Sequence, residues 1–281
     1  MTPIAVIARL TIREAFRRRL ILAVFILTGI AIVCSGWGLS RLEGSASRQA
    51  APPVASNFIA TLVILLAFMF SVVLEAGAAF LAASAIAADA ESGLLFAMLP
   101  RPIRRGELLV GKWLGLATLL SLYGFITGGL ELFVTQRMAG YLPPHPLLAL
   151  VYIIGECLVL LALGLLTSTR LAPTTGSILV VALFGVAWVA GIASNLASLA
   201  HVPAVETAGN AITMLLPTDG LWRGAVYNLQ PTALTLLSRS LGASMPFLVD
   251  APPPLAYILW SVSWTVAILA LAVVSFRHRD L

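Results

Sequence analysis

The sequence predicts an all-α, polytopic membrane protein. The expected layout is six transmembrane helices, an N-terminal interfacial amphipathic helix, and a short cytoplasmic helix between spans 2 and 3. Three observations carry this reading. Hydrophobic residues make up 60% of the 281 positions and charged residues only 10%, with a mean hydropathy of +1.00, far from the composition of a soluble domain. Apolar runs recur at lengths that cross a hydrocarbon core, about 20 helical residues each. The arginines collect on one side of the layout those runs impose.

The spans are expected near residues 20–39, 58–86, 108–132, 147–167, 176–199 and 255–274, within a single transmembrane domain covering residues 1–281. The connections carry turn punctuation, as in SRLEGSASRQAAPPVASN, YLPPHP, STRLAPTTG and DAPPP. With both termini in the cytoplasm, Arg9, Arg13, Arg17, Arg18, Arg19, Arg101, Arg104, Arg105, Lys112, Arg170, Arg277 and Arg279 fall inside. Arg41, Arg48, Arg137, Arg223 and Arg239 fall outside, so 12 of the 17 basic residues are cytoplasmic, as the positive-inside rule requires. The expected location is the plasma (inner) membrane. The formal charge of +5 is accounted for by membrane insertion, and nucleic acid is not expected as a partner. Cys34 and Cys157 both sit in apolar runs and read as packing residues.

The first apolar run is longer than a secretory signal core and lacks a small-x-small cleavage site, so it reads as a retained span. Ahead of it, Arg9, Arg13 and Arg17 recur every fourth residue, opposite Ile4, Ile7, Ala8, Thr11, Ile12, Ala15 and Phe16. That pattern is a helix lying in the cytoplasmic interface with its arginine heads near anionic lipid, or one that extends the first span into the cytosol.

Between spans 2 and 3 the chain reads AESGLLFAMLPRPIRRGELLVGKWLG, and its GELLVGK matches most of the phosphate-loop pattern G-x-x-x-x-G-K. A working loop needs a preceding strand, a glycine-rich turn and Ser or Thr after the Lys. Here Trp113 follows Lys112, PRPIRR precedes, and Glu107 to Val110 suit a continuous helix. Lys112 is expected to snorkel where span 3 enters the membrane. A short apolar segment, Leu94 to Leu99, ends at Pro100 and Pro102, Arg104 to Gly106 form the turn, and Glu107 opens the next helix. An apolar helix held at the cytoplasmic surface asks for a partner.

Those residues resemble the permease subunits of type-2 ABC exporters, a group that includes drug-resistance permeases and the permease of nitrous-oxide reductase maturation. The family's cytoplasmic hallmark runs approximately E-x-G-T-L-E-x-L-L-x-R-P-[VI]-S-R-x-E-x-L-x-G-K. Glu91, Gly93, Leu95, Leu99, Arg101, Pro102, Ile103, Arg105, Glu107, Leu109, Gly111 and Lys112 fall on it in register, while Leu94, Phe96 and Arg104 depart from it. The resemblance implies that residues 88–99 are a coupling helix seated in a separately encoded ABC ATPase. Two ATPases would work with two permeases, the second a copy of this chain or a homologue, amid membrane lipids. ATP and Mg would be held by the ATPase, with no cofactor, metal or catalytic residue in this chain. The implied ATPase-coupling residues are Glu91, Gly93, Leu94, Leu95, Phe96, Met98, Arg101, Pro102, Arg104 and Arg105. The alternative reading of the same residues is that the arginines serve topology alone and the helix lies on lipid.

Two carboxylates lie deep in expected spans, Glu75 in the second and Glu156 in the fourth, where an ionised group is costly and marks either a translocation path or a hydrogen-bonded packing contact. Glu131, near the outer end of span 3, reads as reaching interfacial water. The outer segment 200–254 is expected to form one or two short helices over the outer gate, interrupted at Pro217 and Pro231, with Trp222 and Tyr227 in an interfacial belt.

The function this supports is an exporter permease for a lipid, drug or other amphipathic substrate. An ABC-type mechanotransmitter without transport and a proton-coupled secondary transporter using Glu75 and Glu156 are the alternatives. No H-E-x-x-H or G-x-S-x-G string occurs to suggest an intramembrane enzyme.

Overall fold

The computed structural model describes residues 3–17, 26, 28–38, 41, 52–91, 104–241 and 247–278. All the regular elements among these are helices: α1 (Pro3–Arg17), α2 (Thr28–Gly38), α3 (Pro52–Glu91), α4 (Arg105–Ala139), α5 (Pro146–Ser168), α6 (Pro173–Leu199), α7 (Pro203–Leu215), α8 (Asp219–Leu229), α9 (Thr232–Leu241) and α10 (Leu255–Arg277). Among the described residues, five helices are long and apolar enough to cross a membrane, within α3, α4, α5, α6 and α10. The chain is therefore a multi-pass membrane protein. These helices overlie the expected spans 2 to 6. The expected first span overlaps the short apolar α2, and its residues 20–25, 27 and 39 lie outside the described residues.

Helix boundaries follow local chemistry. Proline opens α5, α6 and α7 within their first turn, where its missing N–H costs nothing. Gly140 ends α4 with φ of 62°, its amide donating to the Gln136 carbonyl, the left-handed cap that glycine adopts without penalty.

The core is built around α5, which α3, α4, α6, α8 and α10 surround. Because apolar burial drives little association in lipid, close approach depends on small residues. A Cβ on Gly164 of α5 would lie 2.6 Å from Ala82 Cβ on α3, and one on Gly128 of α4 would lie 2.5 Å from Leu150 Cδ2 on α5. The same device seats α1: a Cβ at Gly111 would be 2.8 Å from Ile7, and one at Gly115 would be 2.7 Å from the Ala8 carbonyl. Ile7, Thr11 and Ala15, one stripe of α1, are buried on that groove while Arg9 and Arg13 are exposed.

Two expectations are corrected. The outer segment holds three short helices rather than one or two, with breaks at Pro217 and Pro231. Trp222 is 2% exposed instead of sitting in an interfacial belt. The reason is that α8 is inserted into the bundle: Gly220 lies against the Tyr257 ring and Gly224 against the Tyr152 ring, so aromatic faces take the volume that side chains there would occupy. The carbonyls at the end of α8 are satisfied by the Tyr141 hydroxyl, which donates to Leu229 at 2.6 Å, and by the His145 amide, which donates to Asn228 at 3.2 Å. Buried Gln230 completes the segment by pairing with both backbone groups of Val249.

Candidate functional site

Glu75 on α3 and Glu156 on α5 are 1% and 2% exposed. The structure brings them together, close enough for the two side chains to act on one another. The helix register explains why. Ala82 of α3 faces Gly164 of α5, so the two chains run side by side in parallel and positions seven and eight residues earlier face each other as well. Both Glu75 oxygens and Oε2 of Glu156 are buried with no hydrogen-bond partner among the described residues.

Asp219, which opens α8, is a third acid whose charge acts on Glu156. Its Oδ2 pairs with Arg223 Nε at 2.8 Å. Burial raises its carboxyl above the ordinary aspartate range, and Arg223 works against that shift. Tyr257 of α10 accepts the Gly220 amide at 3.2 Å, closing the same region from another span. Among the described residues, no three His, Cys, Asp or Glu side chains are placed to hold a metal ion.

One two-turn step along α3 from Glu75 lies Phe68, the centre of an aromatic cluster. Its ring stacks on Trp188 at 5.1 Å and meets Trp222 and Phe247 edge-on at 5.3 and 5.4 Å. This joins α3, α6, α8 and the segment before α10. Sequence reasoning missed both Asp219 and this cluster. The PTDG string reads locally as a turn, and only the insertion of α8 buries it.

Glu131 does not stand in open interfacial water. It is half-buried and lines two small, mainly apolar cavities, of about 80 and 20 Å³, between α2, α3, α4 and α5. Lys112 also departs from expectation. It is 5% exposed, and instead of snorkelling its Nζ donates to the Ala85 carbonyl on α3. Beside it, Lys112 and Glu14 of α1 line one cavity of about 20 Å³.

Of the implied coupling residues, Gly93, Leu94, Leu95, Phe96, Met98, Arg101 and Pro102 lie outside the described residues, and residues 88–91 continue the backbone of α3 through Glu91. GELLVGK lies within the opening turns of α4, and the Arg104 amide donates to Glu107 Oε2 at 3.0 Å. In the first turn the Glu107 and Leu108 amides both donate to the Arg104 carbonyl, at 2.9 and 3.2 Å. Arg105 turns inward: its Nη1 donates to the carbonyls of Phe276 at 3.2 Å and Arg277 at 3.0 Å.

Known proteins place this arrangement. Residues 5–281 match the family described as ABC-2 family transporter protein. The chain is 31% identical over 123 residues to the probable ABC transporter permease protein NosY of Pseudomonas aeruginosa, covering 44% of this chain and 42% of that protein. It is 32% identical over 116 residues to the protein of the same description from Stutzerimonas stutzeri, covering 41% and 39%. The chain thus spans about two fifths of the length of these curated relatives. With the family match running across nearly its whole length, the chain belongs to the ABC-2 family of transporter proteins.

Proposed function

We propose that this chain is the transmembrane permease subunit of an ATP-driven ABC exporter, moving a lipid, drug or other amphipathic substrate when paired with a separate ABC ATPase. The observation that supports the reading is the motif match running through Arg105 to Lys112, in a chain of this family, at the start of a helix long and apolar enough to cross a membrane. In this reading both termini are cytoplasmic, α1 lies at the inner interface, and residues 88–99 seat in a groove of the ATPase, with Arg101 and Arg104 facing its acidic side chains. Two ATPases bind ATP and Mg, and their closure drives two permeases, copies of this chain or homologues. Glu75 and Glu156 border the path along which substrate passes, at the contact where α3 and α5 meet.

Reconstitution in lipid vesicles tests this. A fluorescent amphiphile is followed with the chain alone, and with the ABC ATPase encoded beside it. ATP-dependent movement that needs both subunits supports the proposal. Movement driven by a proton gradient in the isolated chain overturns it in favour of secondary transport. ATP hydrolysis by the complex with no amphiphile or lipid movement favours mechanotransmission instead.

A further inference from the structure

The last four carbonyls of any helix lack intrahelical donors, and in α10 two arginines from other elements supply them. Arg105, the first residue of α4, bridges the carbonyls of Phe276 and Arg277 at 3.2 and 3.0 Å, with its guanidinium carbon 5.9 Å from the centre of the Phe276 ring. From the turn between α5 and α6, Arg170 donates to the Ser275 hydroxyl at 3.1 Å and to the Ser275 carbonyl at 3.3 Å. The neighbouring Thr169 hydroxyl shares a 2.8 Å hydrogen bond with Ser275. Two cations therefore sit on the negative end of the α10 dipole, where they stabilise it.

The rest of α10 is loosely held. Its buried residues are Ser261, Ala272 and Phe276, and two of these lie in the final turns beside the arginines. At the other end, Trp260 Nε1 donates to the Met214 carbonyl at 3.0 Å and Tyr257 accepts from Gly220. Between those ends Trp264 and Leu269 pack one stripe of α10 on the core, while the opposite side of the helix is exposed. Gly106 tightens the inner grip, since a Cβ there would lie 3.2 Å from Val273 Cγ1.

We propose that Arg105 and Arg170 form a cytoplasmic clamp that transmits movement of the start of α4 into α10 and the α5–α6 turn. The transmission rests on the proposed ATPase pairing; the clamp itself does not. Arg105 is a positioning residue here. Its planar fork reaches two carbonyls at once, which a lysine ammonium does not reproduce.

The test begins with the full chain in membrane vesicles, in a background lacking Cys34 and Cys157 and carrying Gly106→Cys and Val273→Cys. Oxidative cross-linking of that pair is expected to slow about tenfold in Arg105→Gln, the factor a charged hydrogen bond is commonly worth, and less in Arg105→Lys. An unchanged rate in Arg105→Gln overturns the clamp. In vesicles that also hold the ATPase, Arg105→Gln is expected to lower the amphiphile moved per ATP hydrolysed; an unchanged ratio together with slowed cross-linking overturns the transmission and leaves a structural cap. If the wild-type chain binds no ATPase, the proposed function fails while the cross-linking result still decides the clamp. Arg170→Gln, read by the same pair and the same ratio, replaces Arg105→Gln if that variant does not fold.

Discussion

Asp219 and Arg223 form an ion pair one turn apart at the start of α8, 2.8 Å from Oδ2 to Nε, and the Asp219 carboxylate occupies the space that a side chain at Gly191 of α6 would need. One glycine on a spanning helix thus decides whether a short helix can insert into the bundle. Gly191→Ala is expected to displace the carboxylate and destabilise the protein by about 1–3 kcal/mol, the usual cost of overpacking. The check is thermal unfolding in detergent, and Gly185→Ala, whose Cβ meets nothing within 4 Å, serves as the control with no comparable loss.

Asp219 also predicts a pH dependence. Burial raises its carboxyl above the ordinary value of 3.8, against the pull of Arg223. For an acid raised in the folded state, the stability it contributes is full below the unfolded value and is lost as pH rises through the folded one. As pH rises from about 4, the wild type should therefore lose more thermal stability than Asp219→Asn, whose amide does not titrate. Parallel curves for the two proteins would refute the assignment.

The paired carboxyls on α3 and α5 should respond as a unit. Glu75→Gln removes one carboxyl from the pair while keeping its size and is expected to leave the amount of folded protein nearly unchanged while lowering ATP-driven transport about tenfold, or about 1.4 kcal/mol in barrier. The Glu75→Gln, Glu156→Gln double variant should lose much less than the product of the two single losses, as residues sharing one contact do. Full transport in Glu75→Gln would remove the pair from the mechanism and leave it as helix packing.

Docking of α1 should depend on two glycines of α4. Gly115→Val places branched carbons where the Ala8 carbonyl and Thr11 now lie and is expected to lift α1 from its groove. A cysteine at Thr11, 7% exposed in the native protein, should then react with a membrane-impermeant maleimide, supplied to both faces of the membrane, at least tenfold faster, the factor expected when about 1.4 kcal/mol of packing is lost. Equal labelling rates with and without Gly115→Val would show that α1 is held elsewhere.

Much of this architecture was legible residue by residue. The spans in α3 to α6 and α10 follow from apolar length alone. By contrast, the inward turn of Arg105 and the burial of Lys112 were illegible, because each depends on a carbonyl contributed by a distant helix, at Phe276 and at Ala85. A basic residue at a membrane boundary looks the same in sequence whether it meets water, lipid or a carbonyl.

The sequence by itself determined the class of the protein, the position of the spanning helices and the motif that ties it to its family, because membrane insertion and helix formation are local demands on runs of residues. Only the tertiary structure decided that Glu75 meets Glu156, that Asp219 and Trp222 are buried, and that Arg105 and Arg170 hold the end of α10. Those outcomes depend on which helix faces which, at what register and with what glycine or alanine allowing approach, and no single run of residues contains that information.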